Sequence, residues 1–277
     1  MSVRFREFEN GKARRWGVGG ALLALAATSI ALAQNAPPAN SPQGCSREEY
    51  DLNADCAREV PRPQKSPKET APVDLGGYWV SIVSEEWRWR MMTPPKGDRA
   101  SIPLNAKARE AMEKWDPAKP EQCKAFGAPG MIRNPMRVRF TWVDDAHLRL
   151  ETDHGQVTRD FHFNSSKPAS GAPSMQGTSV ASWEGGALKV VTTNLAPGFL
   201  RKNGVPYSEQ TVLTEYFDRY SAAGGNYVTV TTIVNDPVYL TRDFIVTTDF
   251  KQLADGAAWR PTPCDAPLVA SRKVERR

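Results

Sequence analysis

The chain has 277 residues, 40% of them hydrophobic and 24% charged, with a formal net charge of +5. Much of that positive excess sits at the N-terminus and in the stretch 272–277, so a basic groove for nucleic acid has no footing and no nucleic-acid partner is expected. Three histidines, and four cysteines with no Cys-x-x-Cys spacing, give a metal site no support, and neither a metal nor a cofactor is expected.

Arg4, Arg6, Lys12, Arg14 and Arg15 form a basic region ahead of an uncharged run, 17–33, that closes on Ala31-Leu32-Ala33. This is the layout of a signal peptide cleaved near Ala33, which predicts export to the periplasm and no stable membrane insertion afterwards. An uncleaved anchor is the alternative, and Arg14-Arg15 before the apolar run resembles a twin-arginine signal. Residues 34–74 are rich in Pro, Asn, Ser and charge and read as a flexible leader, and 266–277 as a basic tail. The folded domain is expected over 75–265. Cys45, Cys56, Cys123 and Cys264 all follow the signal, and an even number in an exported chain favours disulfides. Of three connectivities, Cys45–Cys56 with Cys123–Cys264 is preferred, since it closes one short and one long loop.

A first strand is expected over 78–91, with Trp79, Trp87 and Trp89 on one face and Arg88 and Arg90 on the other. Residues 93–135 interrupt the alternation, and Asn105 is placed to cap a short helix over 106–115. Strands then follow over 137–143, 147–153, 156–163, 178–183, 187–194, 211–220, 226–234 and 242–250. Short alternating runs separated by turn residues predict an all-β, antiparallel barrel or sandwich. If His154-Gly155 make a two-residue turn, Arg149 lies across from Asp160 and His147 from His162. That register leaves Arg159 alone on an apolar face.

Gly77-Tyr78-Trp79, opening the first strand, resembles the Gly-x-Trp signature of lipocalins and related calycin barrels. The resemblance implies a barrel with Trp79 at its closed end and a late arginine, Arg242 or Arg260, packed across it. Thr214-Glu215-Tyr216 loosely resembles that family's Thr-Asp-Tyr motif, inside a strand here. The chain is also similar to a group of uncharacterised exported bacterial proteins, through Glu86-Trp87-Arg88-Trp89-Arg90-Met91, Thr93-Pro94-Pro95-Lys96-Gly97-Asp98 and Leu200-Arg201-Lys202-Asn203-Gly204-Val205-Pro206-Tyr207. No particular activity follows from that similarity.

Glu215 sits between Leu213 and Phe217 on one strand face, where burial would raise its pKa and suit it to proton transfer. Arg159 is its natural partner. An ion pair that only organises the core would leave the same trace, and the strand can also be read with Glu215 facing solvent. The long connection 194–210 carries Arg201, Lys202 and Tyr207, a set suited to an acidic or phenolic ligand, or to a solvated basic loop. Trp79, Trp87, Trp89, Trp115 and Trp142 are candidates to line an apolar cavity, with ordinary core and barrel-plug roles the alternative for most of them. The expectation is therefore a lipocalin-like barrel holding a small apolar or aromatic molecule in an internal pocket. Metal-free acid–base chemistry of isomerase, lyase or cyclase type at Glu215 and Arg159 is one extension. A non-catalytic carrier is another reading, and a protein-interaction module docking through the strand from Trp87 to Arg90 a third.

Overall fold

The computed structural model describes residues 64–118, 121–163 and 171–265. The described residues from Lys65 onward form one compact unit, which carries everything that follows. The signal peptide, the Cys45–Cys56 pairing and the tail 266–277 lie outside the described residues. Among the described residues, no helix is long and apolar enough to cross a membrane.

Nine strands close into a barrel. In chain order they are β1 (Gly77–Ile82), β2 (Arg137–Asp144), β3 (His147–Thr152), β4 (Thr158–Phe163), β5 (Thr178–Glu184), β6 (Ala187–Thr193), β9 (Val212–Ala222), β10 (Gly225–Asn235) and β11 (Phe244–Gln252). The order around the ring is β1-β11-β10-β9-β6-β5-β4-β3-β2. The two remaining strands, β7 (Gly198–Arg201) and β8 (Val205–Tyr207), form a separate hairpin between β6 and β9. The fold is thus an all-β barrel, as the alternation predicts. It is not wholly antiparallel: β4 and β5 run parallel.

The β3–β4 pairing has the register read from the sequence, with Arg149 opposite Asp160, His147 opposite His162 and Leu150 opposite Arg159. Alternation decides it, because a one-residue slip would turn Leu148, Leu150 and Phe161 outward. Gly155 takes a left-handed φ of 83° at the turn, where a Cβ would lie 2.3 Å from the Phe126 ring.

The expected long first strand is corrected. β1 ends at Ile82, and Trp87–Met91 form a short helix, α1. Five residues are too few for period 2 and period 3.6 to be told apart, and tertiary contacts choose. The helical turn brings Arg90 into the interior, where Nη1 donates to Ile82 O (3.2 Å) and Glu85 Oε1 (2.7 Å) and Nε to Arg133 O (3.1 Å).

Helix α2 (Ala106–Glu113) is capped as expected, with Asn105 Oδ1 accepting from Ala108 N at 3.0 Å. A 3₁₀ turn (Gln122–Phe126) and helix α3 (Ala128–Met131) follow. Phe126, Met131 and Ile132 from this insertion join the barrel core with Trp79, Phe140, Phe217 and Phe250, so the insertion closes one end of the barrel. A second apolar cluster, including Met112, Ala128, Leu200, Val205 and Tyr207, joins α2, α3 and the β7–β8 hairpin to the ends of β9–β11. The connection 194–210 is therefore a buried hairpin rather than a solvated loop, with residues 200–208 all buried.

Cys123 and Cys264 are disulfide-bonded, Cα to Cα 5.1 Å, as the preferred connectivity has it. The stretch 65–74, read from composition as leader, lies against the barrel. Lys68 N donates to Asp145 O (3.1 Å), and Trp183 Nε1 to Pro67 O (2.8 Å).

Candidate functional site

Arg159 on β4 and Glu215 on β9 meet across the barrel although their strands are not neighbours in the ring. Arg159 Nη1 donates to Glu215 Oε1 at 3.1 Å and Nη2 to Oε2 at 2.6 Å. Nη2 also reaches Thr192 Oγ1 (3.1 Å), which shares a hydrogen bond with Ser179 Oγ (2.8 Å). Both charged side chains are 0% exposed. A bidentate pair of this kind is strong because two charge-assisted bonds form in a fixed fork. In this arrangement the pair is sealed from solvent.

The barrel interior is filled. The space bounded by Trp79, Ile132, Val138, Phe140, Phe217 and Phe250 has no room for a water molecule. Trp79 is fully buried, with Nε1 donating to Leu75 O at 2.9 Å. Arg242 and Arg260, the late arginines implied by the lipocalin resemblance, are both exposed; Arg260 Nη1 donates to Ala257 O and Trp259 O instead.

The candidate tryptophans do not converge. Trp87 is 60% exposed on α1. Trp89 donates to Asp98 Oδ2 (2.9 Å) and stacks under the Arg201 guanidinium at 4.9 Å. Trp142 stacks on Phe163 at 5.5 Å, beside Trp183.

The β7–β8 hairpin separates the three remaining candidates onto two sides. Arg201 and Lys202 border a small enclosed space with Arg90, Arg133 and Glu86. Arg201 Nη1 donates to Ala100 O (2.8 Å) and Nη2 to Ser101 Oγ (3.1 Å). Lys202 is 7% exposed, and burial, with no carboxylate to offset it, pushes its ammonium down to about 8.

Tyr207 faces the other side, onto a recess of about 280 Å³ that it shares with Trp115, Phe199, Tyr239, Lys114 and Lys124. Two of its lining residues carry buried donors with no partner among the described residues, Trp115 Nε1 and Tyr207 Oη. Tyr207 is 1% and Trp115 7% exposed. Burial raises the Tyr207 phenol well above its ordinary value, so it remains a donor at neutral pH. Leaving a buried donor unpaired costs about 1–3 kcal/mol.

Glycines open the space. A Cβ on Gly204, whose φ is 80°, would sit 2.3 Å from Trp115 Cγ, and one on Gly198 would sit 2.5 Å from Tyr207 Oη. Asp236 fixes the far wall. Its carboxylate accepts from Ser208 N (2.6 Å), Thr211 Oγ1 (2.9 Å) and Tyr239 N (3.0 Å), tying the end of the hairpin to the loop that carries Tyr239. No local pattern assigns Asp236 a role, since its partners Ser208, Thr211, Val238 and Tyr239 come from two separate connections.

A wider recess of about 600 Å³ lies near the end of β1, bordered by Val83, Met91, Met136, Arg137, His154 and Thr262. His154 and Asp153, at the β3–β4 turn, are buried there. Asp153 Oδ2 accepts from Arg137 Nη1 (3.0 Å), and His154 Nδ1 pairs with Thr262 Oγ1 (2.9 Å). Burial first, and Lys202 second, lower the His154 pKa, which keeps the ring neutral. Arg137 Nε, on the same recess, is buried with no partner among the described residues.

Comparison with protein-family models, curated proteins and solved structures gives no match.

Proposed function

We propose that the chain is an exported, periplasmic carrier of a small aromatic molecule bearing hydrogen-bond acceptors. The molecule occupies the recess between the end of α2 and the β7–β8 hairpin, not the barrel interior. One observation carries this reading: Trp115 and Tyr207 line the same aromatic-walled space, and each has a buried donor, Nε1 and Oη, with no partner among the described residues. Phe199 and Tyr239 provide faces for stacking, while Lys114 and Lys124 at the rim are already paired with Glu110 and Glu121. The basic N-terminus with its apolar run and the Cys123–Cys264 bond support export. Carriage is preferred to isomerase, lyase or cyclase chemistry because the Glu215–Arg159 pair is closed off from solvent.

The test compares native and denaturing mass spectra of the mature protein taken from its own host's periplasm, for wild type, Trp115→Phe and Tyr207→Phe. A small molecule that leaves wild type only on denaturation, and is retained about tenfold less by each variant, is the expected result. In the ligand-free protein Tyr207→Phe is neutral or stabilising by up to about 3 kcal/mol, since it removes an unpaired buried hydroxyl. A bare native mass for folded wild type overturns the reading.

A second reading is favoured by a different observation. Trp87 (60%), Met92 (59%) and Met91 (37%) are exposed together at α1. This keeps an interaction module in view, docking through a helical turn and not through a strand edge as the sequence had implied.

A further inference from the structure

On the opposite side of the β7–β8 hairpin, four cationic side chains surround one enclosed space. Arg90 enters from α1, Arg133 from the segment after α3, and Arg201 and Lys202 from the hairpin; Gly130 and Phe244 complete the wall. Two carboxylates face these four charges. Glu85 Oε1 accepts from Arg90 Nη1 (2.7 Å) and Arg133 Nη1 (3.3 Å). Glu86 accepts from Arg133 Nη2 through Oε2 and from Ser101 Oγ through Oε1 (2.9 Å), with Arg201 Nη2 at 3.8 Å. The cluster therefore keeps an excess of two positive charges.

The excess is buried. Arg90 is 2% exposed, and its Nη2 has no hydrogen-bond partner. Burial first, and the like charge of Arg133 second, push its guanidinium below the ordinary range. Burying a charge without compensation costs several kcal/mol, and so does crowding like charges in a medium of low dielectric. The enclosed space measures about 20 Å³, room for one atom the size of a water oxygen.

We propose that this space is a binding site for a small anion, either chloride or a carboxylate presented by one oxygen. Arg90 Nη2 donates to it directly, Lys202 supplies charge from the hairpin turn, and Arg133 and Arg201 hold the two carboxylates aside. The size of the space selects against phosphate. Because α1, α3 and the hairpin all contribute, the anion ties the insertion to the hairpin whose other side forms the aromatic recess.

The experiment follows thermal unfolding of the full mature chain at pH 7 and constant ionic strength, with gluconate replaced stepwise by chloride, formate or phosphate. Wild type, Lys202→Met and Lys202→Arg are compared. Lys202→Met removes a charge that has no partner among the described residues, so it orphans none of them and the variant folds. A saturable rise in Tm with chloride or formate is expected for wild type and Lys202→Arg. For Lys202→Met the affinity falls about tenfold. Overlaying wild-type curves in gluconate, chloride and formate overturn the site, as does an equal saturable rise in Lys202→Met. A phosphate response equal to that of formate overturns the size selection.

Discussion

At the scale of single residues, Arg159 and Glu215 hold the barrel's strongest internal polar contact. Each is fully buried, so removing either partner leaves the other charged and unsolvated, at a cost of about 3–5 kcal/mol. Glu215→Gln is therefore expected to lower stability by that order in urea denaturation. The double variant Arg159→Met, Glu215→Leu stays close to wild type, because a filled apolar pair needs no counter-charge. Both residues were legible in the sequence for one reason: each is a lone charge on an apolar strand face, and such charges have to find each other. Nothing local distinguished a catalytic from an organising pair. That depended on the fullness of the interior, which is set by Trp79, Phe140, Phe217 and Phe250 together.

At the scale of elements, the β7–β8 hairpin was the least legible part of the chain. Its strands have four and three residues, with Pro206 inside the second, and such runs do not rise above the turn residues around them. Burial comes instead from partners distant in sequence, α2 and α3, which no local pattern names. The hairpin is held to its geometry by glycine. At Gly204 the left-handed backbone and the Trp115 ring 2.3 Å from a Cβ position act together. Gly204→Ala is expected to cost about 2 kcal/mol or more, and to shift the Trp115 fluorescence spectrum as the ring is displaced. An unchanged melting curve and spectrum would contradict this packing. The β3–β4 pairing is the opposite case. Six alternating residues on each strand and a left-handed Gly155 specify the register locally, and it was read correctly. Helix α1 lies between these extremes: its Trp-Arg alternation was plain, but the buried contacts of Arg90 reinterpret it.

At the scale of the whole molecule, the Cys123–Cys264 bond joins the 3₁₀ turn of the insertion to the end of the chain across a sequence separation of 141 residues. Chain-entropy reasoning puts the stabilisation from closing so long a loop at about 5 kcal/mol. Reduction, or Cys123→Ala with Cys264→Ala, is expected to move the urea midpoint down accordingly, and an unchanged midpoint would show that the bond restrains little. The closing strand pair β1–β11 and the disulfide both bring the C-terminal segment back to the start of the domain.

The parallel β4–β5 pair has a consequence in counting. Neighbouring strands that alternate in direction can close a ring only when their number is even. Nine strands oblige at least one pair to run the same way, and β4–β5 meets that obligation. Fourteen residues separate the two strands, within the dozen or more that a parallel connection requires. An odd ring also cannot be a whole number of copies of one hairpin. A tenth strand inserted at β4–β5 would restore strict alternation.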